Sequence, residues 1–220
     1  MRTSLSFTKA LIVAGSAIVL GAGGASAQAW HYPTLQTPDI ATRDFTFLVA
    51  GGSSLYGTSG VAQWREGITP DFQFNVDVGF ASPSSTTLFL AGAGVGYGLM
   101  KSTPETPIDL ILTGGLYGAF GNGSYVRIPV GVVAGHRFPL SGAMAITPFI
   151  SPRLSVDVCA SDCGTAGTDL KLNFDIGASL DVTRSIAIRS ALTVGGIGVM
   201  PSRTSVGIGL VYRPNMAPRR

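Results

Sequence analysis

Residues 72 to 80 read FQFNVDVGF, with Phe72, Phe74, Val76, Val78 and Phe80 on one side of an alternation and Gln73, Asn75, Asp77 and Gly79 on the other. A period of two marks a β-strand with unlike faces. Positions 170–182 repeat the pattern, setting Leu170, Leu172, Phe174, Ile176, Ala178, Leu180 and Val182 opposite Lys171, Asn173, Asp175, Gly177, Ser179 and Asp181. That run is longer than the usual strand of about 5–6 residues. The same reading predicts ten strands, near 44–50, 60–66, 71–81, 86–100, 107–120, 124–138, 143–158, 168–183, 185–195 and 204–213. Turn formers such as GITP, SPSS, GNGS, PLSG and VTRS separate them, and no helical period competes after residue 27.

The stretch LFLAGAGVGYGLM, residues 88–100, sets Gly92, Gly94, Gly96 and Gly98 at every second position. A dinucleotide-binding loop needs its glycines at a strand-to-helix turn, with an acid about 20 residues further on. Here the glycines alternate with Ala93, Val95 and Tyr97 inside a continuing strand, and Pro104 and Pro107 follow. They are expected instead on the inner wall of a narrow barrel, where a missing side chain makes room for a bulkier one opposite.

The charges are placed by the phase of each strand, fixed from its apolar residues alone. Asp77, Asp109, Arg127, Arg137, Arg153, Asp157, Lys171, Asp175, Asp181 and Arg189 then all fall opposite the apolar row. A charged side chain facing lipid near the bilayer midplane costs about 2–4 kcal/mol for Arg or Lys, so a lipid-facing wall should lack them. A half-buried soluble strand also alternates, but its polar face carries Lys and Glu, whereas this one is rich in Gly, Ser, Thr and Asn.

Composition agrees. Charged residues make up 12% of the 220-residue chain and 30 residues are Gly, against about 25% charged in ordinary soluble domains. Mean hydropathy is +0.38. At the N-terminus, Arg2 and Lys9 precede an apolar run from Ala10 to Leu20 and the string Ala25-Ser26-Ala27. This has the form of a cleaved signal peptide over 1–27 and is too short for a spanning helix of about 20 residues. Removing Arg2 and Lys9 leaves thirteen basic residues against twelve acidic, so the electrostatic footprint of a nucleic-acid partner is missing. No uninterrupted apolar stretch of helix length follows residue 27, and the remaining way for such a surface to cross a bilayer is a closed β-barrel.

Near the C-terminus, SVGIGLVY, Ser205 to Tyr212, resembles the closing-strand signal of bacterial outer-membrane β-barrel proteins, with Ser205, Gly207, Leu210 and Tyr212 in the signal positions. The chain departs from that pattern by continuing as RPNMAPRR. The hairpin REGITPDFQFNVDVGF is similar to those of small barrels of this class. The resemblance implies an outer membrane of the Gram-negative type, both termini in the periplasm, outer-membrane lipid as surroundings and the barrel-assembly machinery as partner during biogenesis. Strand parity then makes 81–86, 120–124, 158–168 and 195–204 outward loops. The organisation expected is a signal over 1–27, an N-terminal periplasmic segment over 28–42, an all-β, closed, antiparallel up-and-down transmembrane barrel over 43–213, and a basic tail over 214–220. Ten strands are expected, or eight if 60–66 belongs to a loop and another pairing is wrong. Pro129, Pro148 and Pro152 each remove a ladder donor, so bulges or frayed rims are expected near them.

The expected lumen network comprises Gln73, Asn75, Asp77, Asp109, Arg127, Arg153, Asp157, Lys171, Asn173, Asp175, Asp181 and Arg189. Filling is the simplest role for it, because eight-strand barrels are just filled by side chains and open channels belong to 16–18 strands. Cys159 and Cys163, the only cysteines, are expected to form a disulfide in an exported chain, closing a tight loop worth roughly 2 kcal/mol. Asp157, Asp162 and Asp169 lie near them without a His, so no metal site is read there, and no cofactor motif is found. His31 falls in the N-terminal segment and His136 on the outer face near a rim, without a Ser at catalytic spacing, so no enzyme activity is expected. Tyr and Phe at 45, 72, 97, 120, 125, 138 and 212 suit interfacial girdles. The expected role is structural or surface-interacting, with a narrow pore or small-ligand barrel, and a soluble exported lipocalin-like or sandwich binder, as alternatives; a partner outside the cell is left unassigned.

Overall fold

The computed structural model describes residues 35–52, 58–82, 87–121, 124–161, 168–197 and 203–214. The expected signal peptide, His31, Asp162, Cys163 and the end of the basic tail lie outside them. Ten long strands form one antiparallel sheet: β1 Arg43–Gly52, β2 Thr58–Thr69, β3 Phe72–Ser82, β4 Leu88–Met100, β5 Asp109–Phe120, β6 Ser124–Gly135, β8 Ala145–Ser161, β9 Thr168–Asp181, β10 Ile186–Ile197 and β11 Arg203–Tyr212. A two-residue strand, β7 Phe138–Pro139, pairs with the start of β8. Each long strand pairs with its sequence neighbours, β1 pairs with β11, and β6 pairs with β8, so the sheet closes into a ten-strand up-and-down barrel. Eight strands are excluded, because residues 60–66 lie within β2 and pair on both sides.

Both described chain ends and the connections 70–71, 101–108, 136–144 and 182–185 lie at one end of the barrel, the terminal end. The connections at the opposite, far end fall largely outside the described residues.

The prolines are accommodated by lapses in pairing, without the expected bulges. The β5–β6 register runs to Gly114↔Val130 and resumes at Tyr117↔Arg127, skipping the place where Pro129 would face Gly115. The β6–β8 register runs to Gly131↔Arg153 and resumes at Ala134↔Ile150, skipping Pro152. Pro148 lies just past the last β6 pair, Gly135↔Phe149, where β6 has ended. Each missing N–H therefore meets a gap in one ladder, while the β8–β9 register passes Pro148 and Pro152 without a shift.

Side-chain alternation sorts the wall as its sequence dictates. Outward positions carry Phe47, Val78, Phe80, Val95, Leu116, Leu170, Ile176 and Leu210, all well exposed. Aromatic residues gather at both edges of this belt. Phe45, Trp64, Tyr97, Phe138 and Tyr212 face out towards the terminal end, and Phe80, Phe89 and Phe120 towards the far end. Tyr125 departs from the expected girdle and packs against the interior. Among the described strand side chains, charge appears only inside the barrel or at the terminal rim.

The interior holds more than polar residues. Ala50, Val61, Ala81, Leu88, Leu90 and Ala119 point inward near the far end and are buried together. At the terminal end the segment before β1 fills the mouth. Leu35, Gln36, Thr37 and Pro38 are buried inside the barrel, so the described part of the segment expected as periplasmic runs within the wall.

Candidate functional site

Among the described residues the lumen contains four side-chain clusters, each assembled by the inward phase of the strands that carry it. Nearest the terminal end, Asp44 of β1 accepts from Arg65 of β2 through Nε at 2.9 Å and Nη2 at 2.5 Å, and from Arg189 Nη2 of β10 at 3.0 Å. Both arginines are about 1% exposed, so their charges stand only because this carboxylate faces them.

Midway, Asp175 of β9 accepts from Arg153 Nη2 of β8 at 2.9 Å and from Thr193 Oγ1 of β10 at 2.7 Å. Asn173 Nδ2 reaches Ser155 Oγ at 3.4 Å. Towards the far end, Asp157 accepts from Arg127 through Nε at 2.6 Å and Nη2 at 2.5 Å, with Lys171 Nζ at 3.0 Å. Across the barrel, Asp77 accepts from Gln63 Nε2 at 3.1 Å and Asn75 Nδ2 at 2.8 Å, and Asn75 Nδ2 also reaches Tyr117 Oη at 3.2 Å.

The glycine row of β4 makes this arrangement possible. Gly92, Gly94 and Gly96 face inward, and the Tyr117 side chain from β5 occupies the space a Cβ at Gly92 or Gly94 would take. At Gly96 the space is taken by Gln73 and Gln36. The glycines are thus a cradle for side chains of neighbouring elements, as their alternation suggests.

Most of the expected network is brought together in the lumen, with two differences. Asp109 is the first residue of β5 and its Oδ1 accepts from the Ser102 backbone N–H at 2.9 Å, so it holds the 101–108 turn at the rim. Asp181 also lies at the rim, bridging Arg137 at 3.1 Å and Arg213 at 2.9 Å. Gln73 Oε1 accepts from the Ala41 backbone N–H at 2.7 Å and so holds the inserted segment to the wall.

Asp44, Arg65, Glu66 and Arg43 are missing from the sequence expectation. Arg43 and Glu66 form a two-pronged rim pair at 2.5 and 2.7 Å. The signal for Asp44 and Arg65 was present, since Asp44 alternates with Thr46 and Arg65 with Gln63, opposite Phe45 and Trp64. They sit at strand ends, where a short alternation defines phase weakly. Of the closing-strand residues, Ser205 and Gly207 point inward, while Leu210 and Tyr212 face out beside β1. The Cys159 and Asp169 side chains and all of Cys163 lie outside what is described.

A second contact absent from the sequence expectation lies at the terminal rim. Ser102 Oγ and His136 Nδ1 are 3.2 Å apart, although 34 positions separate them. Pairing of β5 with β6, with Asp109 opposite Gly135, sets the β4–β5 turn beside the end of β6, a proximity linear spacing does not reveal. The imidazole stands edge-on to Phe138, with ring centroids 4.7 Å apart. Asp109 Oδ1 accepts from the Ser102 backbone N–H. Among the described residues no group of three or more His, Cys, Asp or Glu is placed to hold a metal ion.

Two spaces adjoin the network. A cavity of about 40 Å³ lies inside the barrel between Gln36, Gln63, Asp77, Tyr117, Arg127 and Arg153. A cleft of about 360 Å³ opens at the terminal mouth, lined by Thr37, Asp39 to Asp44, Arg137, Asp181, Arg184 and Arg213.

No protein-family model and no curated protein matches the sequence. Solved structures similar to this chain include a bacterial polysaccharide outer membrane secretin, at 14% identity and TM-score 0.48, over 76% of this chain and 58% of that one. This chain therefore spans less than two thirds of that protein's length. A KdgM porin is similar at 11% identity and TM-score 0.39, over 78% of this chain and 99% of that one. The outer membrane phospholipase A from Escherichia coli is similar at 10% identity and TM-score 0.35, over 81% of this chain and 98% of that one.

Proposed function

We propose that this chain is an integral outer-membrane barrel with a sealed lumen, serving a structural or surface-interaction role through its far-end connections. One observation carries the reading: an uncharged apolar belt faces out on every strand while the interior charges meet opposite charges or hydrogen-bond donors inside. A soluble lipocalin-like binder would bury its apolar row, yet Phe47 is 64% and Phe80 60% exposed, and Asp77 and Asp175 are buried. Such an exterior suits hydrocarbon, where the closed ladder also satisfies the backbone. The proposed setting includes export by a cleaved signal, termini in the periplasm, handling by the barrel-assembly machinery and a Cys159–Cys163 disulfide at the far end.

The test is extraction and electrophoresis of the expressed protein. It should need detergent, and the unboiled form should migrate differently from the boiled one. Release in a periplasmic wash would overturn the reading. In a planar bilayer the full chain should insulate, as a lumen crossed by ion pairs and an inserted segment would.

A further inference from the structure

Gln36 and Thr37, adjacent in the chain, face two different spaces. Gln36 lines the internal cavity and Thr37 lines the cleft at the terminal mouth. The segment is thus the partition between them. Beyond the cavity, Arg127 belongs both to its wall and to the cluster with Asp157 and Lys171. Those two side chains keep 14% and 20% exposure, so solvent reaches them. Polar side chains therefore line the lumen from the mouth to the Arg127, Asp157 and Lys171 cluster, beside the apolar cluster of β1 to β5, and residues 36 and 37 lie across that line.

The seat of the segment differs from a strand ladder. Among the described residues its hydrogen bonds to the wall are three: Arg189 Nη1 to the Leu35 carbonyl at 3.4 Å, the Ala41 N–H to Gln73 Oε1 at 2.7 Å, and the Gly67 N–H to the Thr42 carbonyl at 3.1 Å. The buried atoms Gln36 Nε2, Gln73 Nε2, Thr46 Oγ1, Arg65 Nη1 and Arg189 Nε, on the segment and its surroundings, have no partner there. Water entering a vacated seat would satisfy them, which lowers the cost of withdrawal. The wall also leaves room for the segment: a Cβ at Gly209 would meet Leu35, and one at Gly96 would meet Gln36. Leu35 itself has φ of +45°, an uncommon backbone for leucine that the enclosing wall must hold. Ten strands enclose slightly more than side chains alone fill, and residues 35–38 supply the difference.

We propose that residues 35–42 are a withdrawable plug and that the barrel conducts small inorganic ions when this segment leaves the lumen. The inference rests on the membrane-barrel reading above.

The test compares the mature full chain with a chain lacking residues 28–42, each purified folded and added to planar bilayers in potassium chloride. At low voltage, discrete current steps from the shortened chain and none from the full chain are expected. A shortened chain that keeps its heat-modifiable mobility and inserts but carries no current overturns the plug while leaving the barrel reading intact. If the full chain itself shows no heat-modifiable, detergent-requiring form, the barrel reading fails first. Should the shortened chain not fold, a reversible lock decides. In a Cys159→Ser, Cys163→Ser background, Leu35→Cys with Gly209→Cys places two sulfurs where Leu35 and a Cβ at Gly209 would touch. Openings that appear under reductant at high voltage and vanish on oxidation support the plug, and silence in both states overturns it.

Discussion

Arg189 Nη2 lies 3.0 Å from Asp44 Oδ2, although 145 positions of sequence and the whole of β11 separate the two strands that carry them. Arg189 stands opposite Gly209 in β11, and its guanidinium reaches past that strand to β1. Arg65 holds the same carboxylate from the other side. One acid therefore compensates two buried cations, and closure of the barrel through β1 and β11 brings all three together.

Asp44→Asn should then be the most damaging single change in the lumen, because it strands both guanidiniums at once. Breaking a buried pair by removing one partner costs about 3–5 kcal/mol. Arg65→Met should cost less, since Asp44 keeps Arg189. Urea unfolding of the reconstituted barrel, followed by tryptophan fluorescence and by loss of heat-modifiable mobility, checks the order. Equal midpoints for Asp44→Asn and the natural chain would show that the cluster contributes nothing.

The alternation of Phe72 to Phe80 and of Leu170 to Val182 made the strands and their two faces legible, because lipid outside and ion pairs inside impose opposite chemistry on successive residues. Closure into ten strands followed from the same repetition. The Asp44, Arg65 and Arg189 cluster was half legible, its third member lying in a long strand and the other two at short strand ends. What alternation does not carry is the register in which neighbouring strands pair. Asp77 meets Gln63, and Tyr117 lies on Gly92, because the β2–β3 and β4–β5 registers set each pair directly opposite. The inserted segment was not legible at all, since Leu-Gln-Thr-Pro has no period and reads as a linker until the barrel surrounds it.

Gly92 and Tyr117 form a complementary pair, and a Cβ at residue 92 would fall on the Tyr117 ring. Gly92→Ala should destabilise by about 1–3 kcal/mol, the usual cost of overpacking. In a Tyr117→Leu background the same substitution should cost much less, because the ring it strikes is gone. A double-mutant cycle in urea provides the coupling. Equal costs in the two backgrounds would mean that the glycine serves backbone curvature and makes no room for the tyrosine.

The Ser102 and His136 contact is expected to be a rim hydrogen bond and not a hydrolytic pair. Asp109 accepts from the Ser102 backbone, while the imidazole leans on Phe138. Ser102→Ala should therefore lower stability by about 0.5–1.5 kcal/mol, the usual net worth of one such bond. Incubation of the purified barrel with phospholipid and short-chain esters should give no hydrolysis above that of the His136→Ala protein. Turnover lost in both Ser102→Ala and His136→Ala, with folding intact, would make the protein an enzyme.

Ile176 and Asp175 are neighbours in β9 with opposite surroundings, one 50% exposed on the belt and the other buried against Arg153. Ile176 lies near the middle of its strand, where the hydrocarbon is driest. Ile176→Arg should cost about 2–4 kcal/mol in a lipid bilayer. The same change at Leu170, near the far edge of the belt, should cost about 0–1 kcal/mol, because an arginine there reaches the interface. Unfolding in lipid vesicles measures both, and the difference between the two sites is the diagnostic quantity. A water-facing wall would treat the two arginines alike, so equal and small costs would remove the membrane from the account of this fold.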